Sequence, residues 1–294
     1  MPSRQLDEQP LGDLYWLGVH DGYNGRPLLP DRTRHYGLAA ALIAELVRGG
    51  YAYVARDPQH RSGAPAQVFL AMGAPPPADP AVAELYAKLR PASARSDLPH
   101  FPHPGDTLEV EDGGYRPGRH AYGAAGWAEH LPPGDGSQPP LTRGPDWRTG
   151  QDISEFLAFW ASGQQAERLV VGRLKQTGLV RVEVRRKVFK GLQEIVVPAD
   201  STVSGFPLTS ISAMLRDSER PPAAYEQGTE PWRLPPALLL LAALFAATRL
   251  YDVPQVQLDK QQKHHLKEQL SGLDPQLRLL IEEVQRRTVR TRTM

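Results

Sequence analysis

A cluster of basic residues around two apolar ones is the part of this sequence best suited to bind a partner. Five positive charges and one negative charge, Glu183, fall within residues 181–190 of a chain whose formal net charge is +1. Basic residues beside exposed apolar ones suit either an anionic membrane surface or a nucleic-acid backbone. The candidate binding residues are Arg181, Arg185, Arg186, Lys187, Val188, Phe189 and Lys190.

Three interpretations of this cluster differ in their physics. On a membrane, each basic residue contributes about 1 kcal/mol, and the apolar residues add burial between headgroups. On a nucleic acid, the segment would be the wing of a winged-helix domain and would contact phosphates. In a purely structural role, Lys and Arg on an edge hairpin prevent the addition of further strands. Composition alone favours none of the three.

Signatures of common catalytic and cofactor sites are missing from the sequence. It holds no P-loop, no GxGxxG, no GxSxG and no HExxH motif. It has no cysteine, which excludes disulfides, thiol nucleophiles and Cys-ligated metals. His100, His103 and His120 lie in a Pro-rich stretch, and we interpret them as scattered surface residues. We therefore expect no enzymatic activity, no metal and no cofactor.

A helix followed by a β-hairpin is predicted to position the basic cluster. Apolar spacing indicates a helix over 165–176 that stops before Gly178. Residues 179–184 then alternate, with valines on one face and charged residues on the other, which is typical of a half-buried strand. A turn near Lys190 and Gly191 leads to a second strand over 192–197, which Pro198 ends.

The rest of the chain predicts a mainly α-helical single domain, residues 1–294, with a Pro- and Gly-rich insertion at about 55–150 that is loop apart from one helix. Asp79, Asp152 and Asp274 are placed to cap helices. The segment 236–250 is apolar on every face, so we expect the other helices to pack around it. It is too short to span a bilayer. Helices are predicted over 37–48, 80–90, 153–160, 236–250, 255–270 and 275–291, with a shorter one around Leu208, Ile211 and Leu215.

The order of the apolar segments resembles the Golgi phosphoprotein 3 family, in its bacterial branch. The resemblance covers about residues 11–54 and 151–285. It is carried by LYWLGVHD at 14–21, GRPLL at 25–29, GLAAALIAEL at 37–46, FLAFW at 156–160, VGRLKQTGL at 171–179 and VPAD at 197–200.

This resemblance implies a non-enzymatic, mainly helical protein with a short β-hairpin, peripheral on the cytoplasmic face of a membrane. The partner that it implies is an anionic phospholipid surface, with phosphatidylinositol 4-phosphate as the headgroup. It also implies that the hairpin, residues 180–197 here, inserts apolar residues into the membrane and supports self-association. A winged-helix-like protein that binds nucleic acid through the same hairpin remains the alternative.

The headgroup-binding residues that the resemblance implies are not kept in this chain. The positions that match the family's Trp and its three Arg lie near Leu29, Ala39, Gln164 and Glu167. A phosphate needs guanidinium groups or helix N-terminal N–H groups, and Glu167 is expected to repel it. Arg32 and Arg34 are expected just before a helix N-terminus. The candidate headgroup ligands are Arg26, Arg32, Arg34 and Arg168.

Overall fold

Helices dominate the computed structural model, which describes residues 9–56, 65–71, 74–90, 150–187, 191–217 and 233–290. This confirms the predicted fold class, mainly α with a short β-hairpin. None of the described helices combines the length and the hydropathy that a bilayer span requires. The helices are α1 Leu11–Gly18, α2 Asp31–Arg48, α3 Pro80–Leu89, α4 Ile153–Ala161, α5 Gln165–Gln176, α6 Ser201–Asp217, α7 Pro236–Ala247, α8 Lys260–Leu270 and α9 Pro275–Arg290.

Two buried helices form the centre of the core. Helix α7 is apolar all round, and it is buried on almost every side, as predicted. Helix α2 shares this central position, because it packs against α1, α3, α4, α5, α7 and α9. The expectation that the helices pack around α7 alone is therefore extended to a second helix, whose alanine-rich middle lets its neighbours approach closely.

Helix α2 begins earlier than its apolar pattern indicates. The predicted start was residue 37, but the helix starts at Asp31, directly after Pro30. Residues 31–35 are polar and do not fit an apolar stripe. Arg34 and His35 are nevertheless buried, and both contact the carboxylate of Glu167 on another helix. Periodicity counts only apolar burial, so it missed this first turn.

The predicted caps are confirmed in geometry. Asp79 Oδ1 accepts the N–H of Val82 at 2.9 Å at the start of α3. Asp152 accepts the N–H of Ser154 at 2.7 Å at the start of α4, and Asp274 accepts that of Gln276 at 2.8 Å at the start of α9. These bonds satisfy backbone donors that a helix N-terminus leaves open.

The sequence predicts one strand of a small antiparallel sheet, over residues 51–54, but not the sheet itself. Its strands are β1 Ala52–Ala55, β2 Gln67–Leu70 and β3 Gln151–Asp152, in the order β1-β2-β3. The prediction that 55–150 is loop apart from one helix is wrong at β2. Its four residues are too few to show an alternating pattern, and its strand conformation depends on partners far away in sequence. Residues 57–64, 72–73 and 91–149 of the predicted insertion lie outside the described residues.

Candidate functional site

The basic cluster lies on a regular two-stranded ribbon. Strand β4, Val180–Lys187, pairs with β5, Gly191–Pro198, in antiparallel register from Val180 opposite Pro198 to Lys187 opposite Gly191. Residues directly opposite each other point to the same side of the ribbon. One side, here called the apolar face, carries Val182, Val184, Leu192 and Val196, with Arg186 and Glu194 among them.

Most of the apolar face is open to solvent. Val180, at the base of the ribbon, is buried against the core, whereas Val182, Val184 and Leu192 are 44%, 60% and 75% exposed. The prediction of a half-buried strand is therefore wrong beyond Val180. The alternation is present and the ribbon contacts α5 and α6, but the exposure of the valines rises along β4 away from Val180. Its apolar face is available to a partner.

The opposite side, here called the charged face, is partly neutralised. Glu183 lies between two arginines: Arg185 Nη2 is 2.6 Å from Glu183 Oε2, and Arg181 Nε donates to Glu183 Oε1 at 3.0 Å. The hydrogen bonds from Arg185 and Arg181 lower the pKa of Glu183. Arg186, on the apolar face, is exposed and has no ion-pair partner among the described residues. The free positive charge of the ribbon is thus smaller than the count of basic residues indicates.

The far end of the ribbon is only partly described. The backbone of Lys187 closes the register with Gly191. Val188, Phe189 and Lys190, three of the predicted binding residues, lie outside the described residues, as does the side chain of Lys187.

A loop between α1 and α2 braces the ribbon. It runs from His20 to Pro27, which form a β-bridge with each other. Arg185 Nη1 donates to the carbonyl oxygen of Asn24 at 3.0 Å. Gly25 has a φ of +67°, and a Cβ there would lie 2.5 Å from Cγ1 of Val197. The sequence analysis missed this brace, because nothing in the spacing of the loop residues points to the hairpin.

The candidate headgroup arginines lie on three different elements and differ in burial. Arg32 and Arg34 lie inside the first turn of α2 rather than before it, because the helix begins at Asp31. Arg32 Nε donates to the hydroxyl of Tyr36 at 3.1 Å. Arg34 is buried, whereas Arg26 and Arg168 are exposed on different elements.

Arg34 is paired with two carboxylates, one exposed and one largely buried. Its Nη2 donates to Glu167 Oε2 at 3.1 Å, and its Nη1 lies 3.1 Å from Asp31 Oδ1. His35 Nε2 is 2.8 Å from the same Glu167 oxygen. Burial opposes the ionisation of Glu167, but the hydrogen bond from His35 and the charge of Arg34 outweigh it and lower the pKa of Glu167 to about 2. Glu167, expected to repel a phosphate, instead neutralises Arg34.

The same cluster holds a neutral histidine. His20 stacks on Trp16 with ring centroids 3.9 Å apart, and its Nδ1 is 2.7 Å from the Trp16 carbonyl oxygen. Burial lowers the pKa of His20 to about 4. In the described part of the chain, no group of three His, Asp or Glu side chains is arranged to hold a metal ion. Since His35 and Glu167 are 132 residues apart in sequence, no local motif signals the cluster.

In comparisons with known proteins, no family model matches this chain and no curated protein matches it. The resemblance to the Golgi phosphoprotein 3 family therefore stays a prediction.

Proposed function

We propose that this is a peripheral, non-enzymatic lipid-binding protein that attaches to anionic phospholipid at the cytoplasmic face of a membrane through the β4–β5 ribbon. The observation that carries the proposal is the open apolar face, on which Val184 and Leu192 are 60% and 75% exposed and Arg186 is opposite Leu192. Phosphatidylinositol 4-phosphate is the headgroup that the sequence resemblance implies, and it enters the proposal as one anionic lipid among several.

Two contributions to binding add in this arrangement. Complete burial of an exposed Val or Leu side chain contributes about 1.5–3 kcal/mol, and each of these side chains still has about half or more of its surface to bury. A basic residue near an anionic surface contributes about 1 kcal/mol, and this part weakens as salt rises. Neither contribution alone holds the protein on a bilayer, but their sum supports reversible attachment.

The arrangement of the arginines favours recognition of charge over recognition of one headgroup shape. Arg34 is buried against Asp31 and Glu167 and has no free face for a phosphate. Among the candidate binding residues that the structure describes, the exposed cations are Arg181 and Arg186 on the ribbon, Arg26 on the bracing loop, Arg32 on α2 and Arg168 on α5. We expect binding to follow the surface charge density of the vesicle, with phosphatidylinositol 4-phosphate effective because of its high charge.

The exposed aliphatic residues also separate this proposal from nucleic-acid binding. A wing that contacts a phosphate backbone uses its arginines and lysines, since affinity comes mainly from neutralised phosphates. It gains little from Val182, Val184 and Leu192 on the other side of the ribbon. A lipid interface uses both kinds of residue.

Flotation with liposomes tests the proposal. Vesicles of phosphatidylcholine alone are compared with vesicles that contain phosphatidylserine or phosphatidylinositol 4-phosphate at equal charge, over a series of salt concentrations. The double variant V184S/L192S should float less well with unchanged salt dependence. The variant R185S/R186S/K187S/K190S should lose flotation with acidic vesicles. Val289→Ser, at a 49% exposed position on α9, is the matched apolar control, and Lys263→Ser, exposed on α8, is the basic control.

The outcomes distinguish membrane binding from nucleic-acid binding. If both ribbon variants float as well as the wild-type protein, the ribbon is not the membrane contact and the proposal is wrong. A DNA gel shift that is lost in the basic variant and unchanged in V184S/L192S would instead support nucleic-acid binding.

A further inference from the structure

An aromatic side chain is held in water by a well-ordered loop. Tyr23 is 87% exposed, more than any other large hydrophobic residue described. The carboxylate of Asp21 accepts the N–H of Tyr23 at 2.8 Å and that of Asn24 at 3.1 Å. Asp21 N also donates to the carbonyl oxygen of Arg26 at 2.8 Å. The loop backbone is thus fixed by its own hydrogen bonds, and the exposure of Tyr23 is part of that fixed geometry.

This loop is joined to the ribbon on one side and to α6 on the other. The Arg185–Asn24 hydrogen bond reaches it from the half of β4 that is distant from the base, where Arg185 is opposite Gln193. Gly25 packs directly on Val197. Gly22 lies so close to α6 that a Cβ there would be 2.7 Å from the carbonyl oxygen of Ser201. The residues that follow Tyr23 are therefore attached directly to the ribbon.

We infer that Tyr23 is a second membrane contact, which enters the headgroup region of an anionic bilayer beside the ribbon. This inference rests on the function proposed above. Tyrosine combines an apolar ring with a polar hydroxyl, and it is enriched where one end is apolar and the other is wet. Arg26, three residues further on, is exposed and adds a positive charge to the same loop.

The loop and the apolar face lie on different sides of the ribbon, and both reach the bilayer when the ribbon enters along its length. A two-stranded ribbon is a single layer, with strands about 4.8 Å apart and a strong twist. An entry along the ribbon axis places groups from both of its sides in the headgroup region. Since the second contact belongs to the same folded chain and is attached to the ribbon, it adds affinity without the entropy cost of an independent association.

Site-specific labels test the inference cleanly, because the chain has no cysteine of its own. The variants Y23C and L192C, and the control K263C on the exposed side of α8, are each labelled with an environment-sensitive fluorophore. Addition of phosphatidylserine vesicles should shift the emission of the labels at 23 and 192 to the blue and leave the label at 263 unchanged.

The pattern of responses separates the two proposals. A shift at 192 without one at 23 overturns the role of Tyr23 and leaves the proposed function in place. A shift at neither position, together with no flotation of the wild-type protein, overturns both. A shift at 23 alone supports the role of Tyr23 and rejects the ribbon as the principal contact.

Unlabelled variants give a second measurement. Tyr23→Ser should lower the vesicle partition coefficient about fivefold to tenfold, through the lost burial of the ring. Tyr23→Trp should keep or raise it. Because the side chain is 87% exposed, both variants should keep the thermal stability of the wild-type protein, so that a loss of binding is not a loss of fold. Equal partitioning of Tyr23→Ser and wild type overturns the inference.

Discussion

Arg173 Nε donates a hydrogen bond to Asp13 Oδ1 at 2.8 Å and joins helices α5 and α1, whose paired residues are 160 apart in the sequence. The same guanidinium donates to Glu45 Oε2 at 2.8 Å, on α2, and to Asp79 Oδ1 at 3.2 Å, at the cap of α3. Arg173, Asp13 and Glu45 are almost fully buried. One cation thus holds three carboxylates and four helices together.

Loss of this cation should be costly. Arg173→Ala leaves three carboxylates facing one another in the core, and we expect it to lower the free energy of unfolding by about 3–5 kcal/mol. Urea denaturation checks this value. Arg168→Ala, at an exposed position on the same helix, is the matched control and should change the stability by less than about 0.5 kcal/mol. Equal stability of the two variants would show that Arg173 does not organise the core.

Asp13 should make the stability pH-dependent. Burial is the largest cause that raises its pKa, to about 7; Arg173 opposes this rise, and Glu45 and Asp79 add to it. Because the folded pKa is above the ordinary value of 3.8, the stability that protonated Asp13 contributes is fully present below that value. It is lost as the pH rises through about 7. The wild-type protein should therefore lose stability relative to Asp13→Asn from about pH 4 to about pH 7, and the difference should level off above about pH 8.

The comparison with Asp13→Asn removes the contribution of His20. The lowered pKa of His20, about 4, has the opposite sign, since its stability is present above the ordinary value of 6.5 and is lost as the pH falls through 4. His20 is the same in both proteins, so it cancels in the difference. Parallel stability curves for the two proteins across this pH range would contradict the role of Asp13.

The pair Arg34–Glu167 gives a third prediction. Glu167→Gln leaves the buried Arg34 guanidinium with Asp31, whose side chain is 71% exposed, and should cost about 2–4 kcal/mol in unfolding free energy. Glu155→Gln, at an exposed position on α4, is the control. Flotation of Glu167→Gln should equal that of the wild-type protein, because the ribbon is unchanged. If Glu167→Gln floated better than the wild-type protein only with vesicles that contain phosphatidylinositol 4-phosphate, Arg34 would be shown to reach a headgroup when Glu167 no longer pairs with it.

Two helical glycines should respond to alanine in opposite directions. A Cβ at Gly18 would lie 2.5 Å from the ring of Phe245, which is fully buried and packed between Tyr15 and Tyr251. Gly18→Ala should therefore destabilise the protein by about 1–3 kcal/mol. Gly172→Ala, in α5, meets nothing within 4 Å and should stabilise it by about 0.5–1 kcal/mol. Thermal unfolding of the two variants measures both changes in stability. Changes in the same direction would contradict the packing of α1 on α7.

Features that depend on neighbours in the chain were predictable from the sequence. The caps at Asp79, Asp152 and Asp274 follow from a side chain that reaches a backbone N–H two or three residues on. The burial of α7 follows from an apolar composition on every face. The faces of the ribbon follow from alternation along β4, which assigns Val182 and Val184 to one side and Arg181, Glu183 and Arg185 to the other.

Features that depend on distant partners were decided by the tertiary structure. Alternation says which side chains share a face, but only the packing of the ribbon on the core decides that Val180 is covered while Val184 remains in water. Similarly, the residue type of Glu167 predicts only a surface position. The packing of α2 against α5 brings Arg34 and His35 into contact with it. Ion pairs between residues more than a hundred positions apart have no local signal, because the chain between them sets no spacing. Packing geometry therefore determined which charged side chains form ion pairs inside the protein and which remain exposed at its surface.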